Sequence, residues 1–276
     1  MSHFAVMVIG NNIDKKLAPF HEYECTGVED EYVIHVNVTR EALKNKEHYS
    51  DQPMVEFLDD YYSIKEVYDA EPEDAPNTRY AVVKEGQLIA AYKFTNPNAK
   101  WDWYLVGGRF SNWLLLKDGE EADSALKGEL DIEGMRDAAG AKAAKQYDKV
   151  AEGIALGPWE SWEAVYSQHE EDVQTARNLY WAQPAVQKIK ELCDAWSVDS
   201  IDCFQVDRET FIQRGRDRAL ATYAFLDRNG WKEKGEMGWF GMSDDKFSQD
   251  DWNKQMNAAI DALPDDARIT IVDCHI

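Results

Sequence analysis

The chain has 276 residues and a formal net charge of −22, because 52 acidic side chains outnumber 30 basic ones. Such a surface repels nucleic-acid phosphates, which argues against direct DNA or RNA binding. Its residues are 44% hydrophobic and 12% aromatic, enough to build a core and too apolar for an intrinsically disordered chain.

The sequence contains no apolar run near the ~20 residues that span a bilayer. Its N-terminus, MSHFAVMVIGNNIDKK, has no basic segment before the apolar run and predicts a β-strand, not a signal peptide. Four cysteines are scattered without a CxxC pair, which favours reduced thiols. We therefore expect a cytoplasmic protein with no membrane partner. The cysteines are Cys25, Cys193, Cys203 and Cys274.

Apolar runs and paired β-rich segments around a turn predict strands in the first hundred residues and near the end. Continuous or alternating apolar residues predict strands over 3–9 and 30–37. Residues 80–94 contain two β-rich runs about Glu85-Gly86, which predicts a hairpin. The segment 222–242 repeats this pattern about Asn229-Gly230, a pair typical of a type I′ turn because both central positions need positive φ.

The middle of the chain predicts helices. Residues from about 120 to 195 are rich in Ala, Glu, Lys and Gln, and 133–155 favours helix by propensity. A second helix is predicted after Pro158, placed in its first turn. One face of that helix would carry Trp159, Trp162, Val165 and Tyr166. We expect this region to be a helical insertion in a sheet-based domain.

The last predicted helix begins at Ser248, which precedes Asp251 in a pattern like a capping box. Its apolar stripe is formed by Trp252, Met256, Ile260 and Leu263. The segment 268–276 then predicts a terminal strand. Because free apolar ends would fray into water, both terminal strands are expected in one sheet. The predicted fold is a single α+β domain over 1–276: a mainly antiparallel sheet with both terminal strands, helices on one face, and a helical insert at about 120–195.

Three segments resemble a family of uncharacterised proteins encoded chiefly by bacteriophages. They are HFAVMVIG at the start, KWDWYLVGGRF in the middle, and GEMGWFGMSDD with DDWN and LPDDARITIVDCHI at the end. The 120–220 region takes no part in the resemblance. The family brings no catalytic residues. What the resemblance implies is a phage accessory protein in the bacterial cytoplasm, a class that often counters host defence.

The segment KWDWYLVGGRFSNW, residues 100–113, is the first candidate ligand site. Gly107 and Gly108 let the backbone approach a ligand and expose N–H donors, and Arg109 can grip a phosphate or carboxylate in a bidentate fork. The aromatic residues that could stack on a base or ring are Trp101, Trp103 and Tyr104. The pattern suits a nucleotide-like anion held in a local positive pocket.

A structural role for the same segment is also consistent with its pattern. Trp101, Trp103 and Leu105 alternate and could form the core face of one strand. The glycines would then form a bulge, with Arg109 paired to a carboxylate. A GG-R string is far less specific than a phosphate-binding loop, and the sequence has neither GxGxxG nor GxxxxGK[ST].

The segment GEMGWFGM, residues 235–242, is a second glycine- and aromatic-rich stretch. Trp239 and Phe240 could line the same pocket as residues 100–113, with Glu236 as its polar group. A packed hairpin exit explains the pattern as well.

The C-terminal VDCHI offers Asp273, Cys274 and His275 as zinc ligands. Adjacent strand residues point to opposite faces, so only Asp273 and His275 can share one. Further ligands would have to come from His3, His35 or Cys25. A hydrogen-bonded histidine at a strand end is the simpler interpretation, and no metal or other cofactor is predicted.

Three functional hypotheses follow. The first is a protein that binds an anionic, ring-bearing small molecule such as a nucleotide. The second is an interaction protein whose acidic face imitates nucleic acid and blocks a host enzyme. Its acidic clusters would be 71–74, 120–123 and 244–245, although acidic runs are usually just solvated surface. The third is a hydrolase of a nucleotide-like substrate with His275 or Glu236 as acid–base group.

Overall fold

The computed structural model describes residues 2–22, 31–66, 79–193, 197–238 and 242–276. The strands within these residues are β1 (His3–Ile9), β2 (Ile34–Asn37), β3 (Ser63–Glu66), β4 (Arg79–Lys84), β5 (Gln87–Thr95), β6 (Trp103–Val106), β7 (Leu114–Leu115), β8 (Glu121–Ala122), β9 (Ser124–Leu126), β10 (Ala224–Asp227), β11 (Gly230–Glu233), β12 (Gly235–Met237), β13 (Ser243–Asp245) and β14 (Arg268–His275). The helices are α1 (Ile13–Leu17), α2 (Thr39–Tyr49), α3 (Met54–Tyr61), α4 (Ile132–Lys149), α5 (Ala151–Ile154), α6 (Trp162–Ser167), α7 (Val173–Ala182), α8 (Pro184–Cys193), α9 (Asp199–Asp202), α10 (Arg208–Arg218) and α11 (Gln249–Asp261). The fold is α+β, as the sequence predicts.

The central sheet contains both terminal strands. β1 and β14 pair antiparallel along their whole length, from His3 opposite His275 to Ile9 opposite Ile269. β10 joins β1 in parallel and pairs antiparallel with β11, while β6 and β9 both pair antiparallel with β14. The strand order is β11-β10-β1-β14-β6. The predicted mainly antiparallel sheet is confirmed.

The two faces of this sheet bury separate apolar cores, because successive side chains of a strand point to opposite sides. On one face Met7 and Ile271 pack with Trp252 of α11, and α4 contributes to the same core. On the other face Val6 and Val272 pack in a core that α1 helps to cover. Burying each large side chain fully contributes about 1.5–3 kcal/mol. The long helices therefore cover one face, and the short α1 lies on the other.

The start of α11 agrees with the prediction from its sequence. The Ser248 hydroxyl oxygen accepts a hydrogen bond from the backbone N–H of Asp251 at 3.1 Å, which satisfies one free donor of the first turn. The indole Nε1 of Trp252 donates to the carbonyl of Thr222 at 2.7 Å and ties the helix to the segment before β10. Among the described helices, none combines the length and apolar composition needed to cross a bilayer.

Both predicted hairpins form, but the turn of the second differs from expectation. Glu85 and Gly86 have φ of 51° and 77°, as a type I′ turn requires. In the β10–β11 hairpin the connecting residues are Arg228 and Asn229, and of the Asn229-Gly230 pair only Gly230 has positive φ, at 102°. The predicted type I′ turn there is wrong, because the Asn229 N–H donates to a carboxylate oxygen of Asp227 at 2.7 Å and holds a different turn.

A second sheet has the strand order β2-β5-β4-β3, and α2 and α3 pack against it around their own core. The predicted strand at 30–37 is β2, which pairs antiparallel with β5. This unit places none of its strands in the central sheet.

The helical region starts later and ends later than the sequence predicts. Residues 121–126 form β8 and β9, and α4 begins after Asp131, whose side chain accepts from the N–H of Gly134 at 3.0 Å. The helical region extends to the end of α10. This last helix belongs to the region because it packs closely on α4. A Cβ on Gly215 of α10 would lie 2.6 Å from the Ala143 Cβ of α4. Sequence propensity does not reveal such a tertiary contact.

Pro158 is not in the first turn of a helix. α6 begins at Trp162, because the Ser161 hydroxyl oxygen accepts from the Ala164 N–H at 3.2 Å and caps the helix there. Val165 is buried in the core of the helical region, whereas Tyr166 is exposed. The predicted common face therefore holds only in part.

Candidate functional site

The Gly107-Gly108 turn follows β6 and passes between two carboxylates. Gly107 has φ of +70°, and a Cβ there would lie 2.3 Å from a carboxylate oxygen of Asp123. Gly108 has φ of +54°, and its Cβ would lie 2.5 Å from the Cβ of Asp273. The N–H of Gly107 already donates to the Ile271 carbonyl at 2.9 Å, so it is not available to a ligand. Both glycines are required by packing.

Arg109 leaves this turn with a free side chain. Its backbone N–H donates to the Asp273 carboxylate at 2.9 Å, which fixes the turn against β14. The residue is exposed, and its guanidinium makes no ion pair or hydrogen bond with any residue that the structure describes. The alternative in which Arg109 pairs with a carboxylate is therefore wrong for the described part of the chain. Its charge remains available to an anion.

Trp101 and Tyr104 belong to the core on the α1 side of the sheet. Trp101 is buried, and its indole Nε1 donates to the Leu17 carbonyl at 3.2 Å. Tyr104 packs edge-on against Trp101 and bonds Asp14 through its hydroxyl. Burial, followed by the hydrogen bond to Asp14, raises the pKa of Tyr104 to about 12. Neither ring is available to stack on a ligand beside Trp103.

Trp103 lies on the opposite face and is 44% exposed. Its ring stacks on the imidazole of His275, with centroids 5.0 Å apart and an angle of 17° between the planes. This contact follows from the strand register, because Trp103 lies directly opposite His275 in the β6–β14 pair. Leu105 is also exposed, so the predicted core face of Trp101, Trp103 and Leu105 does not form.

Two histidines meet beside Trp103, each held by a carboxylate. His3 Nδ1 lies 2.9 Å from a carboxylate oxygen of Asp273, and His275 Nδ1 lies 2.6 and 2.8 Å from the two oxygens of Asp102. The two imidazole centroids are 5.0 Å apart. Because a carboxylate only accepts hydrogen bonds, each Nδ1 carries the proton. We call His3, Asp102, Trp103, Asp273 and His275 the histidine face.

In the neutral form of each imidazole, Nε2 is then the acceptor. The His275 side chain is nearly fully buried, and its Nε2 has no hydrogen-bond partner among the described residues. A buried acceptor without a donor costs about 1–3 kcal/mol, so such atoms are rare and often functional. An imidazole oriented at Nδ1 by a carboxylate is suited to accept a hydrogen bond or a proton at Nε2.

The predicted alternation around His275 is confirmed, because Cys274 points into the opposite core, where burial raises the pKa of its thiol. His35 lies in the second sheet, edge-on to Phe94. Cys25 lies outside the described residues. Within the described part of the chain, no three His, Cys, Asp or Glu side chains form a group able to hold a metal ion. Asp273 serves instead as a partner of His3.

The second glycine-rich stretch does not reach the histidine face with its polar group. Glu236 is exposed and pairs with Lys246 at 3.1 Å, and this hydrogen bond lowers the pKa of its carboxyl group. It borders a cavity of about 160 Å³ together with Phe4, whose side chain lies on the other face of the sheet. Trp239 and Phe240 lie outside the described residues. A general-base role for Glu236 at the histidine face has no support from this geometry.

Of the acidic clusters, 71–74 lies outside the described residues. Asp244 and Asp245 lie on β13, where Asp245 pairs with Lys234 at 2.6 Å. This pairing neutralises part of the cluster that a nucleic-acid mimic would have to expose.

The sequence patterns do not identify Asp102 as a functional residue, and they suggest His3 only as a metal ligand. Two features of the sequence hint at these residues. Asp102 lies between two tryptophans in the WDW triplet, and Asp273 and His275 lie two residues apart on the last strand, while His3 lies on the first. Local patterns could not identify the pairs, because His275 and Asp102 are 173 positions apart in the sequence.

The chain was compared with protein-family models, curated proteins and solved structures. None of the three comparisons finds a match. The resemblance to phage-encoded proteins therefore stays a prediction, and the functional proposals depend on the geometry of the side chains.

Proposed function

We propose that the protein binds an anionic, ring-bearing small molecule of nucleotide type at the histidine face. The observation that supports this most directly is the buried His275 Nε2, which has no donor among the residues that the structure describes and lies under an exposed tryptophan. A ligand hydroxyl or amino group could supply the missing donor if Trp103 shifts from the imidazole.

Trp103 is suited to hold the ring of such a ligand. Its indole is 44% exposed on an edge strand, where one π-face is taken by His275. Stacking of a base on an aromatic side chain contributes about 1–3 kcal/mol and tolerates different bases.

Arg109 is suited to hold the anion. Its backbone bonds Asp273, which in turn bonds His3, so the residue is anchored next to the paired imidazoles. No described carboxylate neutralises its guanidinium, so its charge can act on a bound anion. Bidentate recognition of phosphate by arginine accounts for how so acidic a protein would bind an anion.

The resemblance to phage-encoded proteins supports a cellular role in which this binding sequesters a nucleotide used by host defence in the bacterial cytoplasm. An acidic face that binds a basic host protein is the alternative. Partner binding that weakens steeply with salt would identify that alternative, since exposed charges are screened.

The binding proposal predicts different effects for two arginines. Titration with AMP, ADP, cyclic AMP and NAD⁺, followed by calorimetry and tryptophan fluorescence, is expected to show saturable binding of at least one. Arg109→Ala should weaken it about 10- to 100-fold, because hydrogen bonds to charged groups contribute about 1.5–3 kcal/mol. Arg228→Ala, at the exposed tip of the β10–β11 hairpin, removes the same charge and should leave affinity unchanged. Equal losses in both variants would contradict the proposal.

Trp103 provides an independent test of the same site. Trp103→Ala is expected to weaken binding about 5- to 100-fold, and Trp103→Phe to restore most of it, because a smaller ring still stacks. If the alanine variant binds as well as the unaltered protein, the ligand ring lies elsewhere.

Hydrolysis of a phosphoester is the second candidate function, favoured by the two carboxylate-held imidazoles 5.0 Å apart. One neutral imidazole would take a proton from water as its oxygen attacks phosphorus. The other, protonated, would donate a proton to the leaving oxygen as the phosphorus–oxygen ester bond breaks. Asp102 and Asp273 would act as positioning residues that keep each Nε2 in place.

Turnover and binding can be separated with His3→Gln and His275→Gln, which remove proton transfer but retain polar side chains. If the protein is a hydrolase, either variant should lose turnover of the bound nucleotide and still bind it. A product yield that never exceeds one equivalent per protein in the unaltered chain would instead identify a binding protein.

A further inference from the structure

A cleft of about 540 Å³ lies between α4, α10 and the first turn of α11. Its volume is in the range of small-molecule sites, about 300–1,000 Å³. It shares no lining residue with the histidine face. No local sequence pattern predicts this cleft, because its walls come from three helices that lie far apart in the chain.

The cleft is positively charged in a strongly acidic protein. Lys142, Arg214 and Arg218 line it, against the single acidic residue Asp250. Asp250 already forms an ion pair with Arg214 at 2.9 Å. The positive charges of Lys142 and Arg218 are therefore not balanced within the cleft.

Several neighbouring cations of the same helices are already paired. Arg136 bonds Asp261 at 2.9 Å, and Arg216 bonds Glu133 at 3.1 Å. By contrast, neither Lys142 nor Arg218 forms an ion pair or side-chain hydrogen bond with any described residue. Both are exposed at the rim, where a ligand can reach them.

The remaining walls are partly uncharged donors and partly apolar. Gln146, Gln249 and Asn253 supply amide groups, and Ala139, Ala143, Gly215 and Phe211 supply apolar surface. Cys203 adds no negative charge, because burial, followed by the nearby Cys193, raises the pKa of its thiol to about 11. Such a surface is suited to one anionic end and one apolar end of a ligand.

We propose that this cleft is a second binding site, for a small molecule that carries a phosphate group and an apolar or ring portion. The phosphate lies between Lys142 and Arg218 at the rim, and the apolar portion lies on Ala139, Ala143 and Phe211. The proposal is independent of the function assigned to the histidine face.

Phenyl phosphate, which has one ring and one phosphate group, is the probe. Calorimetric titrations are run with all variants in an Arg109→Ala background, so that the histidine face does not compete. One saturable site is expected, with inorganic phosphate bound about 5-fold more weakly because it buries no ring. The double variant Lys142→Gln, Arg218→Gln should weaken phenyl phosphate binding about 10-fold or more.

The matched control is the double variant Lys145→Gln, Arg177→Gln, which removes the same charge from exposed helical positions outside the cleft. It is expected to bind phenyl phosphate as the background protein does. An equal loss of affinity in both double variants would mean that the overall charge of the protein, and not the cleft, determines binding. That result would overturn the proposal. Absence of saturable binding in the background protein would overturn it as well. Circular dichroism of each variant verifies that it is folded.

Discussion

Asp273→Ala is expected to lower the free energy of unfolding by about 3–5 kcal/mol, because it removes two hydrogen bonds to a buried carboxylate and each such bond contributes about 1.5–3 kcal/mol. The Asp273 side chain is 2% exposed, and it accepts hydrogen bonds from His3 Nδ1 and from the Arg109 N–H, both at 2.9 Å. Its removal leaves both donors without their acceptor and opens a void beneath Gly108. Urea unfolding, with the midpoint and slope compared, measures the loss.

The Asp273→Asn variant separates packing from charge. Its amide oxygen can still accept from the Arg109 N–H, so the turn should stay attached and the loss of stability should be smaller. The asparagine no longer presents a carboxylate to His3, however, and binding at the histidine face should still weaken. Unchanged stability of Asp273→Ala would contradict the buried network described here.

Gly108→Ala is expected to lower the free energy of unfolding by about 2–4 kcal/mol, combining backbone strain of about 1–2 kcal/mol with overpacking of about 1–3 kcal/mol. Gly108 has φ of +54°, and an added Cβ would lie 2.5 Å from the Asp273 Cβ, which cannot move without shifting β14. The resulting displacement of Asp273 should also weaken ligand binding.

Gly119→Ala is the control for backbone strain alone. Gly119 also has positive φ, at +91°, but a Cβ there meets no atom within 4 Å. Its loss of stability should therefore reflect only the strained backbone, about 1–2 kcal/mol. If the two variants lose the same stability, the close approach of the turn to Asp273 is not what requires glycine at position 108.

Local sequence patterns correctly predict the elements whose signals are short-range. α11 is identified by its cap Ser248 and its apolar stripe, and β1 and β14 by their apolar runs. The pairing of the two terminal strands also follows, because an apolar strand at a chain end has to be covered. In each case the free energy comes from burial of residues whose periodicity is visible in the sequence.

The candidate segment 100–113 was only half predictable. Its glycines mark a turn, and its tryptophans mark burial or stacking, but the sequence does not say which. Trp101 bonds the Leu17 carbonyl and is buried, whereas Trp103, two residues later, is exposed and stacks on His275. The difference arises because β6 begins only at Trp103, so Trp101 does not share its alternation.

By itself, the sequence determined the α+β class, the sheet with both terminal strands, the hairpin positions and the capped last helix. Only the tertiary structure decided which residues meet. His3 contacts Asp273 across 270 positions, and His275 contacts Asp102 across 173. These pairs depend on strand register, and a one-residue slip would send each side chain to the other face. Register is set by the packing of the whole sheet, so no local pattern contains it.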